Sequence, residues 1–211
     1  MANKGCSPDV VSYTTIVSSM CKLGKVEEAR ELASRFEPIV SVYNVLINGL
    51  CKERKLEETF QLLGASGTWN RMIRNGCHPN VVAYTSLVGV LCANSMFNQA
   101  HSLVENMAMD NCPPNIVTFN TFIKGLCGGC GGRVEWAMEM LNQMNQYGCS
   151  PNITTYNELL DGLLQGNRMK EAFDLVKEIE ERGIELNVVS YNTILHGVCR
   201  AGMKEDAFKL R

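Results

Sequence analysis

The sequence predicts an all-α fold, a right-handed solenoid of stacked antiparallel helical hairpins, and three observations carry that prediction. A short pattern recurs six times along 211 residues. Apolar residues follow each copy at helical spacing, and nothing alternates at period two for long enough to make a strand. Small residues recur at fixed places, as they do where helices of a hairpin approach closely.

The pattern is clearest in Pro114-Asn115-Ile116-Val117-Thr118-Phe119-Asn120: a turn, two apolar residues, a hydroxyl, an aromatic and an amide. Near-copies begin at Pro8, Pro79 and Pro151, and weaker ones run from Pro38 to Asn44 and from Leu186 to Asn192. The aromatics Tyr13, Tyr43, Tyr84, Phe119, Tyr156 and Tyr191 set the register, spaced 30, 41, 35, 37 and 35 residues apart. The underlying unit is therefore 35 residues. The expected organisation is the end of a preceding repeat at 1–9, a short first repeat at 10–39, and a second at 40–80. The third is 81–115, the fourth 116–152, the fifth 153–187, and a truncated sixth 188–211. Gly64–Trp69 accounts for a six-residue insertion in the second repeat, and Gly128–Gly132 holds two extra residues in the fourth. From this register the chain is expected to be a fragment of a longer array or a truncated gene product.

Within a unit the first helix carries residues such as Phe119, Phe122, Ile123 and Leu126, and a glycine column runs through Gly49, Gly125, Gly162 and Gly197. Glycine inside a helix costs about 1 kcal/mol relative to alanine, so a close helix approach is expected there. The second helix shows Val134, Ala137, Leu141 and Met144, with a small-residue column at Ala29, Thr59, Ala100, Ala137, Ala172 and Ala207. About twelve helices follow from this reading.

The ten cysteines fall mostly in two columns. Cys21, Cys51, Cys92, Cys127 and Cys199 share one, and Cys6, Cys77, Cys112 and Cys149 the other. Equivalent places in successive units are packing places, where a reduced thiol acts as a small hydrophobe. A hydrophobic content of 45% suffices for a continuous core, and a net charge of −2 argues against binding nucleic acid through bulk positive charge. No signal peptide, transit sequence or transmembrane run is visible.

A 35-residue hairpin that opens Val-Val-Thr-Tyr-Asn and closes Gly-x-x-Pro-Asn resembles the pentatricopeptide repeat family over essentially the whole chain. That resemblance implies a plant organellar factor of the mitochondrion or chloroplast that binds single-stranded RNA, one base per repeat. By resemblance, two side chains per repeat face a base edge: Thr14 with Ile39, Asn44 with Asn80, Thr85 with Asn115, Asn120 with Asn152, and Asn157 with Asn187. Asn192 stands without its partner position. The family holds each base between second apolar residues of neighbouring repeats, here Val11, Val82, Val117 and Val189, while Ser41 and Thr154 depart from the pattern. Phosphate contact is implied for Lys22, Lys52 and Arg200, with Ala93, Gly128 and Gln165 at the other equivalent places, so binding is expected to be weak and salt-dependent.

Bottom-up, amides and hydroxyls repeated on one face form an array of donors and acceptors suited to base edges. An asparagine at a helix start also caps the helix and needs no ligand for that. From the second repeat onward the expected preference is pyrimidine, A, pyrimidine, pyrimidine, with C somewhat above U.

Other motifs point nowhere. Cys127-Gly-Gly-Cys130 has no second pair to complete a zinc site, no His-x-Glu accompanies it, and the glycine run lacks the Gly-Lys-Ser/Thr of a phosphate loop. The sequence predicts no enzyme, no metal and no cofactor. The rival expectations are a protein-interaction scaffold with partners in an RNA-processing complex, self-association through uncapped ends, and a gene fragment without function.

Overall fold

The computed structural model describes residues 9–34, 41–42, 45–46, 78–128 and 133–202. Ile39, Asn44, Gly49, Cys51, Lys52, the Gly64–Trp69 insertion, Cys130 and the alanine-column members Thr59 and Ala207 lie outside them. Every regular element among the described residues is a helix. They are α1 (Val10–Lys22), α2 (Val26–Ser34), α3 (Val81–Ala93), α4 (Phe97–Met109), α5 (Ile116–Cys127), α6 (Val134–Gln146), α7 (Ile153–Gln165), α8 (Met169–Glu181) and α9 (Val188–Arg200). None of them is long and apolar enough to cross a membrane.

Each first helix starts on a capped turn. Asp9, Asn80, Asn115, Asn152 and Asn187 are extended, and their side-chain oxygens accept N–H groups from the first turn. Such caps each stabilise a helix by about 1 kcal/mol. The second helices begin at Met96, Arg133 and Arg168 without a side-chain cap. Instead, the turn before each of these holds them in place. The Met96 N–H reaches back to the Leu91 carbonyl, and the Arg168 N–H to the Leu163 carbonyl, with Ser95 and Asn167 left-handed in between. The same closure ends α6, where Gly148 has φ +70° and the Cys149 N–H bonds the Met144 carbonyl.

Helices α3 to α9 pack as a two-layer stack. Successive first helices α3, α5, α7 and α9 lie against one another, and each second helix lies against its own first helix. Helices α4 and α6 also touch the first helix of the next unit, but no comparable contact joins α4 to α6 or α6 to α8. The first helices therefore form the tight edge of the stack. A continuous core runs through Phe122, Leu126, Met140, Met144, Tyr156, Leu160, Leu175 and Ile179. The small-residue column is buried at Ala29, Ala100, Ala137 and Ala172. Between α1 and α2, Val17, Cys21 and Ala29 pack with Val42 and Leu46 of the following segment.

The glycine column meets the cysteine column of the preceding unit. A Cβ on Gly125 would lie 2.3 Å from the Cys92 Cβ, and one on Gly162 would lie 2.6 Å from the Cys127 Cβ. Gly197 faces Leu164, which takes the cysteine's place in the fifth unit, with a Cβ distance of 2.8 Å. All six described cysteines are free. Cys21, Cys92 and Cys127 are buried, Cys112 and Cys149 half-buried, and Cys199 exposed. Burial pushes the Cys92 and Cys127 thiols up to about 12. The outer layer is joined more loosely, by Arg168 at the start of α8, which pairs with Glu171 on its own helix and with Glu135 on α6.

Candidate nucleic-acid interface

The residues expected to read bases sit at the starts of the first helices, and hydrogen bonds tie them across unit boundaries. In the third unit the Thr85 and Thr118 hydroxyls are 2.8 Å apart. Thr118 belongs to the capping box of α5, where Asn115 Oδ1 accepts the Thr118 N–H at 3.1 Å. In the fourth unit the Thr155 hydroxyl donates to Asn120 Oδ1 at 2.7 Å, while Asn152 Oδ1 accepts the Thr155 N–H at 3.1 Å. In the fifth, Asn157 Nδ2 donates to Asn187 Oδ1 at 3.3 Å, and Asn187 caps α9 through the Ser190 N–H at 3.0 Å. The three expected pairs whose members are both described are thus brought together, either directly or through one hydroxyl, while Ile39 and Asn44 leave the first two pairs outside the described residues.

Capping settles the orientation of the terminal amides. Because Oδ1 of Asn115, Asn152 and Asn187 accepts a backbone N–H, Nδ2 is the end left to donate to a ligand. Asn80 caps α3 in the same way, through the Ala83 N–H at 3.0 Å. Capping therefore uses the oxygen of each side chain and leaves its NH2 out of the cap. Asp9 caps α1, and the Ser12 hydroxyl and N–H hold its carboxyl below the usual range.

Exposure differs along the row. Asn80, Asn115, Asn152, Asn187 and Asn192 are exposed, Thr14, Thr85 and Asn120 half-buried, and Asn157 buried at 8%. Asn157 departs from the open face expected of it, because its amide folds against Asn187. The second apolar residues stand out into solvent: Val82, Val117 and Val189 at 56–57% and Val11 at 70%. Thr154 occupies the same exposed place in α7. Exposed valines at one register position, beside a line of amides and hydroxyls, make alternating apolar and polar contacts for a ligand with flat apolar faces and polar edges. Lys22 and Arg200 are exposed at the ends of α1 and α9. Lys124 is a further cation on the first helices, bonded to Glu158 of the next unit at 3.1 Å. Among the described residues no three His, Cys, Asp or Glu side chains gather where a metal could sit.

Sequence reasoning missed the role of Thr118 and Thr155, the buried hydroxyls that connect the row at the third and fourth units, and the equivalent buried place of Ser190, which bonds only Asn187. Their column was visible as the hydroxyl before Tyr13, Phe119, Tyr156 and Tyr191, but only the fold brings it beside the preceding unit.

The fold is a helical-hairpin solenoid that carries a row of amides and hydroxyls along its first helices. The chain belongs to the PPR repeat family, which matches residues 38–93, 79–128, 131–165 and 151–200, with a PPR repeat also at 4–35. It is 27% identical over 109 residues to the small ribosomal subunit protein mL104 (rPPR9) of Arabidopsis thaliana, covering 51% of this chain and 21% of that protein. It resembles the pentatricopeptide repeat protein PPR10 from maize at 28% identity and TM-score 0.69, over 97% of this chain and 30% of the other. PPR10 in complex with an 18-nt psaJ RNA element matches at 23% identity and TM-score 0.68, over 98% and 28% of the two chains. The chain thus spans less than a third of these relatives' length.

Proposed function

We propose that this chain binds single-stranded RNA, one base per unit, along the inner face of its first helices. The observation that carries the reading is the row Thr85, Asn120 and Asn157, each hydrogen-bonded to the cap or third-position hydroxyl of the next unit, with the exposed Val82 and Val117 on the helices of the first two. Bases splayed from a single strand offer a flat face to Val82 and Val117 and a Watson–Crick edge to the amides. PPR10, which shares the fold, is known in complex with an 18-nt RNA, which makes a single strand the ligand to test. The chain acts in this reading as a binder without chemistry of its own, supporting processing, stability, splicing or translation of an organellar transcript.

The third unit pairs a small hydroxyl with an amide donor and favours adenine, whose ring nitrogen accepts. The asparagine units favour pyrimidines. Three cations at the phosphate-facing places, Lys22, Lys52 and Arg200, give a shallow salt dependence, with a slope of about −2 in log K against log salt. The test is selection from a random single-stranded RNA pool at low salt. Enrichment of pyrimidine-A-pyrimidine-pyrimidine supports the proposal, and recovery of an unenriched pool sinks it. The ribosomal relative favours a second reading, a surface for protein partners in a larger particle. Co-purification of a stoichiometric protein with a chain that ignores RNA is the outcome that would favour it.

A further inference from the structure

We infer that the third-position hydroxyl of the following unit is a specificity-determining positioning group. Thr155 fixes the amide of Asn120 and makes the fourth unit select C over U, while the fifth unit, where Ser190 does not engage Asn157, accepts both. The inference rests on the RNA-reading proposal above and concerns how two units with the same Asn–Asn pair differ.

Thr155 is wholly buried, and its contacts leave its proton one good destination. Its oxygen accepts the Asn152 backbone N–H at 3.2 Å, and Asn152 Oδ1 already accepts the Thr155 N–H. The hydroxyl is 2.7 Å from Asn120 Oδ1 and 3.2 Å from Asn152 Oδ1, so the shorter bond takes the proton. The threonine methyl limits rotation about χ1 and holds the hydroxyl there. With its carbonyl engaged, Asn120 has only the NH2 end to offer. Cytosine presents a ring-nitrogen acceptor at that edge, whereas uracil presents an N–H, and two donors cannot bond.

Ser190 is also wholly buried and holds the same place in its own capping box, 3.2 Å from the Asn187 N–H and 3.1 Å from Asn187 Oδ1. It gives nothing to Asn157. The Asn157 oxygen is buried with no hydrogen-bond partner in the chain, and its NH2 is turned to Asn187. A buried acceptor without a donor is costly, and what holds this amide is the bond from its NH2 to Asn187 Oδ1, an oxygen that capping fixes as an acceptor. Its NH2 is committed to Asn187 rather than set toward the base, so Asn157 adds no preference for cytosine over uracil.

The experiment is a set of binding titrations with four RNAs that carry C or U beneath the fourth and fifth units, using the wild type, Thr155→Val and Ser190→Thr. For the wild type the C:U affinity ratio at the fourth unit should be at least about fivefold, as for a good base contact, and near one at the fifth. Thr155→Val should bring the fourth ratio toward one. Ser190→Thr should raise the fifth ratio to that of the fourth, and its added methyl has precedent in the buried Thr118 and Thr155 of neighbouring units. The preference of the third unit for A should be unchanged in both variants, which separates positioning from a general loss of structure. Should Thr155→Val fail to fold, Ser190→Thr alone decides. If the protein selects RNA sequences but neither ratio moves, the inference is overturned and the reading proposal stands. If the wild type shows no base preference at any unit, the reading proposal falls and this inference with it.

Discussion

Gly162 of α7 lies directly against Cys127 of α5, so that a methyl group at 162 would sit 2.5 Å from the Cys127 sulfur and 2.6 Å from its Cβ. The obstacle is a Cβ fixed to a buried helix, which cannot swing away. Gly125 on Cys92 repeats the contact one unit earlier, so two sequence columns form one seam.

Gly162→Ala should therefore destabilise the fold despite the better helix propensity of alanine. Overpacking costs about 1–3 kcal/mol, against about 1 kcal/mol gained from propensity. Gly89→Ala is the control, since a Cβ there meets only the Thr121 methyl, at 3.3 Å. Urea unfolding should show a loss for Gly162→Ala and little change or a gain for Gly89→Ala. Equal gains in both would remove the close-approach explanation.

The buried thiols make an alkaline prediction. Burial raises the Cys92 and Cys127 thiols from an ordinary 9.0 to about 12, so between those values the folded chain holds protons that the unfolded chain has released. Their contribution is complete below pH 9 and is lost as pH rises toward 12. The urea midpoint should fall across that range, and Cys127→Ala should fall less steeply than the wild type from its own lower starting point. At pH 8 in the native state, iodoacetamide should label the exposed Cys199 and spare Cys92 and Cys127.

Asn115→Asp separates capping from reading. Aspartate caps α5 as well as asparagine does, so the melting temperature should hold. Its second oxygen accepts where Nδ2 donated, and the third base should change from A to G by about 1–3 kcal/mol. Titrations with four RNAs differing at that base read the change. Indifference of both proteins to all four would withdraw Asn115 from the reading role.

Val117→Ala tests the apolar side of the face. The valine is 57% exposed, so the fold should lose nothing, and alanine is the better helix former. If a base packs on it, RNA affinity should drop by about 1 kcal/mol, regardless of which base is present. Unchanged affinity would leave the valine column without a ligand.

The helical hairpins and their caps were legible because both are local: Asn152 before an apolar run, or Ala137 between Val134 and Leu141, carries its structural meaning within one turn. The glycine column announced a close approach but not what approached, since Cys127 is 35 residues from Gly162 and only the stacking distance brings them together. The difference between Asn120 and Asn157 could not be read at all. The two share sequence surroundings, and they part over a hydroxyl direction decided in the next unit.

The tight seam and the loosely joined outer layer also have a mechanical consequence. Glycine and cysteine bind the units along one edge like the spine of a book, while α6 and α8 are linked by the solvent-facing contact between Arg168 and Glu135. An ion pair of that kind resists little. Opening or closing the outer gaps changes the pitch of the coil, yet the spine is its neutral line and keeps its length. The distance from Thr85 to Asn120 and on to Asn157 is then set by helix contact, and on the proposed function the stack can lengthen or shorten around a strand without losing step with its bases.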